Sequence, residues 1–235
     1  MTAYRQLEGP RLAQTVARLR ERIDARFDPP RGLGEVAGEL EGLVLTVDRE
    51  TDESAARVRR TRLLARVVSA VIVAASAFAL VLVLADAADE GPSQSFDWLP
   101  LIESTINDVV FAAIAVLFLW ALPERLERRR LLALLHQLRS LAHVIDVHQL
   151  SKDPEQVFAS YRPTPASVKT DLTPEQLHHY LDYCSELLSL VAKTAALCAE
   201  YSTDSVVLDT VRSIESLTTD MSVKIWQKIA LLPAH

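Results

Sequence analysis

Glycine is scarce in this sequence, with six in 235 residues, and the scarcity removes whole classes of chemistry. Gly32, Gly34 and Gly38 cluster, but no strand-like run precedes them, so they encode no phosphate-cradling loop. The Gly-x-Ser-x-Gly pattern of a nucleophile elbow is missing as well. Strand-type alternation is absent throughout. Only two cysteines occur, Cys184 and Cys198, and both fall on an apolar helical stripe, which points to buried free thiols and against a disulfide. The first 60 residues carry no apolar run of the kind a cleavable signal peptide needs. Between Val67 and Leu122 there is no Lys or Arg. These absences disfavour an enzyme and imply no cofactor.

Against that background two apolar stretches stand out. Residues 67–85 (VVSAVIVAASAFALVLVLA) are nineteen residues without a charge, and residues 101–122 (LIESTINDVVFAAIAVLFLWAL) carry two acids near their start. A bilayer core of about 30 Å is crossed by roughly 20 helical residues. Both stretches fit, with spans expected over about 66–86 and 101–122. The first then serves as its own internal targeting signal.

The net charge of −6 is unevenly placed. Residues 1–66 hold thirteen Arg against eleven acids, and residues 123–235 hold twelve basic against fourteen acidic side chains. The whole excess therefore sits in Asp86, Asp89, Glu90, Asp97, Glu103 and Asp108. Arg57, Arg59, Arg60, Arg62 and Arg66 precede the first stretch, and Arg125, Arg128, Arg129 and Arg130 follow the second. Basic residues beside a span stay cytoplasmic. Both termini are thus expected in the cytoplasm, with the acidic connection 86–100 outside. The preference for Arg over Lys and the abundance of Ala suggest a GC-rich bacterial source, and so an inner membrane.

The polar arms carry helical periodicity. Leu12, Val16, Leu19, Ile23 and Phe27 recur at threes and fours, and Val36, Leu40, Leu43 and Val47 do the same beyond the Asp28-Pro29-Pro30-Arg31-Gly32 breaker. An N-terminal helical hairpin over 1–60 follows, with Asp52 or Ser54 capping a further helix into the first span. After a membrane segment at 61–123, Pro123 is expected to kink or break the chain. The apolar stripe Leu131, Leu135, Leu138, Ala142, Ile145 then opens a C-terminal three-helix bundle over 124–235. Residues 151–173 hold three prolines and form a linker with one short helix near 153–160. Thr173-Pro174-Glu175 starts a helix whose Leu177, Leu181, Cys184, Leu188, Val191, Ala195 and Cys198 step as a heptad seam. Such a seam packs within one chain more often than between chains. A last helix carries Val207, Val211, Ile214, Leu217, Met221, Ile225 and Ile229. The fold class is all-α: a two-span transmembrane hairpin with cytoplasmic amphipathic helices.

Three groups of residues are candidates for chemistry. Asp108, with Glu103 and Asn107, lies in the second span about 7.5 Å inside its outer boundary. A homo-oligomer would ring these carboxylates at the mouth of a cation pore. Glu103 and Asp108 are about 140° apart on a helix, however, so they form no single carboxylate face. The competing reading has Asp108 facing its partner helix beside Asn107, Thr105 or water. His143, Asp146 and His148 have the residue types of a metal site, with His136 about 10 Å from His143 along the axis and so too far to join them. The plainer reading is a polar knot at a helix end, with Arg139 beside Asp146 and Lys152-Asp153-Pro154 tying down the linker. His178-His179 reads as a solvated face. The arginine clusters suit anionic headgroups at about 1 kcal/mol each, although topology alone explains them. No patterned basic patch with aromatics supports nucleic-acid binding.

Asp97-Trp98-Leu99-Pro100-Leu101-Ile102-Glu103 opens the second span. In layout, with coiled helices, two spans, an acidic connection and coiled helices again, residues 54–150 resemble the mitochondrial calcium uniporter family. That family carries Trp-Asp-x-x-Glu-Pro at this place. Order and spacing differ here, so the resemblance implies a topology and no ion-binding residue. Small residues in the first span (Ala70 with Ala74, Ala75 with Ala79, and Ser69 and Ser76) allow close helix approach. The expectation is a non-enzymatic membrane protein whose helical domain scaffolds, senses or binds a cytoplasmic protein, as a monomer or homo-oligomer. The alternatives are a cation channel and a metal-binding sensor or enzyme at His143 and Asp146.

Overall fold

A computed structural model describes residues 7–27, 32–89, 98–158, 160–165, 167, 172–200 and 202–232. Among them there is no strand. Five α-helices follow one another: α1 (Gly9–Arg26), α2 (Leu33–Asp89), α3 (Trp98–Leu150), α4 (Pro174–Ala199) and α5 (Ser205–Ala230). Among the described residues near 153–160, the helix is a single 3-10 turn, Pro154–Val157. The breaker at 28–31 and the connection at 90–97 lie outside the described residues.

Both long helices run further than their sequences suggest. α2 passes through Asp52 and Ser54 without a break, so neither caps a new helix. The reason is local: from Leu43 to Asp89 there is no Gly or Pro, and an established helix adds a bond per residue at little cost. Pro123 likewise sits inside α3 and does not end it. Its ring removes one amide donor, and the turns on either side carry the helix past the gap. Two helices are long and apolar enough to cross a membrane, over Arg59–Leu82 of α2 and from Ile102 in α3.

The chain divides into two units, residues 1–52 with 130–235, and residues 53–129. In the first, the two polar arms, which the sequence presents separately, share one core. Val16, Ile23, Leu40 and Val44 are buried in the same cluster as Leu135, Ile145, Leu188 and Ile225. α1 and the start of α2 pair antiparallel. Gly9 lies against Asp48 and Gly34 against Asp24, where an added Cβ would meet the carboxylates, and Arg20 reaches Glu41 at 3.5 Å. Across the arms, Arg22 forks onto Glu186, with Nη1 to Oε2 at 2.8 Å and Nη2 to Oε1 at 3.0 Å. That hydrogen bond to Glu186 raises the Arg22 pKa. Phe27 meets Tyr180 and Tyr183 edge-on, at 5.6 and 6.2 Å between centroids.

α4 is the centre of this unit. All seven residues of its heptad seam have no exposed surface, and Tyr180, Leu187 and Thr194 are buried beside them. The seam is thus filled within one chain. Thr173 and Gln176 form the capping box that starts α4: Gln176 N donates to Thr173 Oγ1 at 3.2 Å and Thr173 N to Gln176 Oε1 at 3.0 Å. Asp204 starts α5 by accepting from the amides of Val206 and Val207. On α5 the buried position between Ile214 and Met221 is Thr218, with Leu217 only half-buried. The 4-3-4-3 step selects 218, and its hydroxyl is satisfied by donating to the Ile214 carbonyl at 2.9 Å.

In the second unit, large apolar side chains point outward. Phe78, Phe111, Leu117 and Trp120 are each about two-thirds exposed (66%, 69%, 66% and 64%). The inner face of α2 holds Ala65 and Ser69, buried, with Ser76 and Leu80 half-buried. Of the small residues in the first span, Ser69 and Ser76 lie on this inner face and Ala79 lines a cavity beside it, whereas Ala70, Ala74 and Ala75 are exposed. Helical spacing explains the difference: 65, 69, 72, 76 and 80 share one face, and the alanines lie to either side of it.

Candidate functional site

Two groupings of polar side chains emerge, one in each unit. In the unit of residues 53–129, Ser76, Ala79 and Leu80 of α2 and Ser104, Thr105, Asp108 and Val109 of α3 line one small cavity of ≈ 50 Å³. That volume holds a water molecule or two, or a small ion, and its hydroxyls and carboxylate supply only oxygen. Of the three polar residues singled out in the second apolar segment, Asp108 alone lines this cavity; Glu103 and Asn107 are exposed elsewhere on α3. About two turns from Ser76, Ser69 is buried with no hydrogen-bond partner for its hydroxyl among the described residues. Arg59, Arg60, Arg62 and Arg66 on α2 and Arg125, Arg128, Arg129 and Arg130 on α3 are all exposed, and Arg125 lies 6.0 Å from the Phe118 ring centroid.

The second grouping closes the C-terminal end of α3. Asp146 Oδ1 accepts from Gln149 Nε2 at 2.8 Å, and the Gln149 carbonyl accepts from Lys228 Nζ of α5 at 3.0 Å. A lysine placed on the last carbonyls of a helix satisfies orphan acceptors and suits the dipole. Gln149 is 1% exposed, and its Oε1 has no partner among the described residues. Burial lowers the Lys228 pKa, opposed by Asp153 and then Asp146. His148 Nδ1 lies 3.4 Å from the Tyr180 hydroxyl, and its ring packs against Gly32, whose φ of +76° only glycine adopts without strain. Lys152 lies over the Tyr180 ring at 5.5 Å.

This is the polar knot that the sequence located at the end of α3, with different partners. Arg139 does not pair with Asp146; it donates to Ser213 Oγ at 3.4 Å. Nor do His143, Asp146 and His148 converge. His143 is exposed, Asp146 turns to Gln149, and His148 turns to Tyr180. Among the described residues no three His, Cys, Asp or Glu side chains are grouped to hold one metal ion. His178 is exposed, but His179 is half-buried and stacks on Tyr183 at 6.4 Å. Lys228, Gln149 and Tyr180 were not singled out in the sequence. The only trace they leave there is a lysine at the polar end of an apolar helix and a tyrosine one place off a heptad seam.

Both cysteines are buried free thiols, and burial pushes each up to about 12 from 9.0. A group held protonated in the fold favours folding fully below its unfolded pKa and loses that contribution as pH rises through the folded value. Stability is therefore expected to fall between pH 9 and 12 by up to about 1.4 kcal/mol per pH unit for each thiol. Denaturant unfolding across that range checks this, with the Cys184→Ala, Cys198→Ala double variant expected to fall less steeply. The native thiols are also expected to resist alkylation at neutral pH.

No family model, curated protein or solved structure matches the chain. The uniporter-like order of segments remains a likeness of layout, and function rests on the residues themselves.

Proposed function

We propose that this chain is a non-enzymatic integral membrane protein, anchored by the apolar segments of α2 and α3, that displays the helical unit on the cytoplasmic face of a bacterial inner membrane as a scaffold, sensor or interaction module. The observation that carries this reading is the outward belt of Phe78, Phe111, Leu117 and Trp120 beside an inner face of small and hydroxylated residues. Water penalises such a belt by roughly 25 cal/mol for each Å² exposed, and hydrocarbon does not. Arg59–Arg66 and Arg125–Arg130 flank the belt, supporting a hairpin with both ends cytoplasmic. At the end of α3, Asp146, Gln149 and Lys228 bond to one another, which favours a structural role for them.

The buried thiols make the test clean. In a cell membrane preparation, Ser95→Cys is expected to react with a membrane-impermeant maleimide from outside, and Thr203→Cys only after the membrane is opened. The reverse pattern, or release of the chain by alkaline carbonate, would overturn the assignment. A second reading, a homo-oligomeric cation channel, is favoured by Asp108 lining a cavity with three hydroxyls. Cation flux into vesicles that Asp108→Asn abolishes would establish it, and no flux from a folded oligomer would end it.

A further inference from the structure

α4 is buried over most of its circumference, and it shares one open face with α5. Leu188, Val191, Ile214 and Met221 face the core, whereas the opposite side of the pair opens into a groove of ≈ 390 Å³. Its α4 wall is low, with Ala192 and Ala196, and its α5 wall ends in Val223 and Trp226, which are 51% and 56% exposed. An exposed indole beside a floor of small side chains is the composition of an interface core. The groove also carries one charge of each sign, Lys193 on the α4 wall and Glu215 on the α5 wall. Lys193 donates to Ser189 Oγ at 2.7 Å, and among the described residues neither charge makes an ion pair. A surface with both signs on opposite walls is complementary to itself.

We propose that this groove docks the same groove of a second copy of the chain, with Lys193 of each copy against Glu215 of the other and Trp226 packed on the small residues of α4. A twofold axis along the groove lays α4 of one copy on α5 of the other, the isologous arrangement in which each contact occurs twice. The walls run antiparallel, so Lys193 is level with about Thr219, one turn or ~6 Å from Glu215 along the axis. Lys193, turned back onto Ser189 in the single chain, leaves that bond and swings forward by one turn to reach Glu215. Trp226 of the second copy falls against Ser189 and Ala192. The result is an antiparallel four-helix layer, the packing that small residues on facing helices permit. The pairing uses only the helical unit and does not depend on how the apolar segments are used.

The test uses the full chain in detergent, with mass measured by light scattering. The wild type is expected to be a dimer that Trp226→Ala weakens by about thirtyfold. Lys193→Glu and Glu215→Lys are each expected to weaken it by about tenfold, because each sets like charges together. The double swap is expected to restore the dimer, which a mere folding defect would not do. Ala192→Cys chains mixed with Thr219→Cys chains are expected to form a mixed disulfide-linked dimer under mild oxidation, and Ala192→Cys chains mixed with Ser216→Cys chains, whose cysteine lies outside the groove, are not. A wild type monomeric at 100 µM or more, single swaps without effect, a double swap that fails to restore pairing, or cysteine chains that crosslink only to some other protein would each overturn the proposal.

Discussion

Tyr180→Ala is expected to cost the helical unit about 3–5 kcal/mol, the range for deleting a large buried ring from a packed core. Typical domains have about 5–15 kcal/mol in total, so one substitution removes a large share of it. Tyr180 is 1% exposed and joins segments far apart in the chain. Its ring meets Phe27 at the end of α1 and lies under Lys152 of the linker, and its hydroxyl faces His148 at the end of α3. Helical circular dichroism against denaturant measures the loss, and limited proteolysis is expected to release α1 first. Tyr180→Phe separates packing from polarity. It keeps the ring against Phe27 and removes the hydroxyl that faces His148, so its loss is expected to be the smaller of the two. Equal losses for the two variants would move the weight from the ring to the hydroxyl.

Tyr180 also marks where sequence reasoning stops. Periodicity along one helix shows which residues share a face, and the seam from Leu177 to Cys198 was legible in full. What covers that face is a matter of contacts between distant residues. The Arg22–Glu186 fork joins positions 164 apart, and nothing in either arm's own pattern announces it. The arms therefore read as separate helical pieces, although they bury one core. Helix ends behaved similarly. Thr173-Pro174-Glu175 marks a start through its own backbone chemistry, and α4 begins there. Asp52 and Ser54 are capping residue types with no breaker beside them, and a residue type alone does not end a helix.

The polar sites were legible in kind rather than in partners. Asp108 stood out because a carboxylate in an apolar run is costly, and it does line a cavity between α2 and α3. Its companions there, Ser76 and Ser104, cost little to bury and left no comparable signal. At the end of α3 the histidines are metal-binding types by residue identity alone. The groups that organise that end are Gln149 and Lys228, brought together by the antiparallel return of α5. A lysine's role depends on which helix end it reaches, and only the tertiary fold supplies that.

Phe111→Arg is expected to abolish stable membrane insertion of the second apolar segment while leaving the helical unit's core untouched. Phe111 is midway along residues 101–122 and 69% exposed, so the substitution creates no cavity and buries no charge within the chain. Its whole effect comes from what surrounds the belt. In hydrocarbon, an arginine at the centre of a span costs about 2.5–3.5 kcal/mol on insertion scales, roughly a hundredfold or more in the insertion equilibrium. In water the same change relieves an exposed aromatic and costs almost nothing. Cell fractionation with alkaline extraction therefore gives opposite outcomes. If the belt faces lipid, the variant is lost from the membrane pellet or degraded, and Glu103→Arg, near the expected boundary, is tolerated far better. If the belt faces water or a soluble partner, the variant accumulates in the supernatant at least as well as the parent chain. The second outcome would remove the membrane anchor and, with it, the reading of Asp108 as a group inside a bilayer.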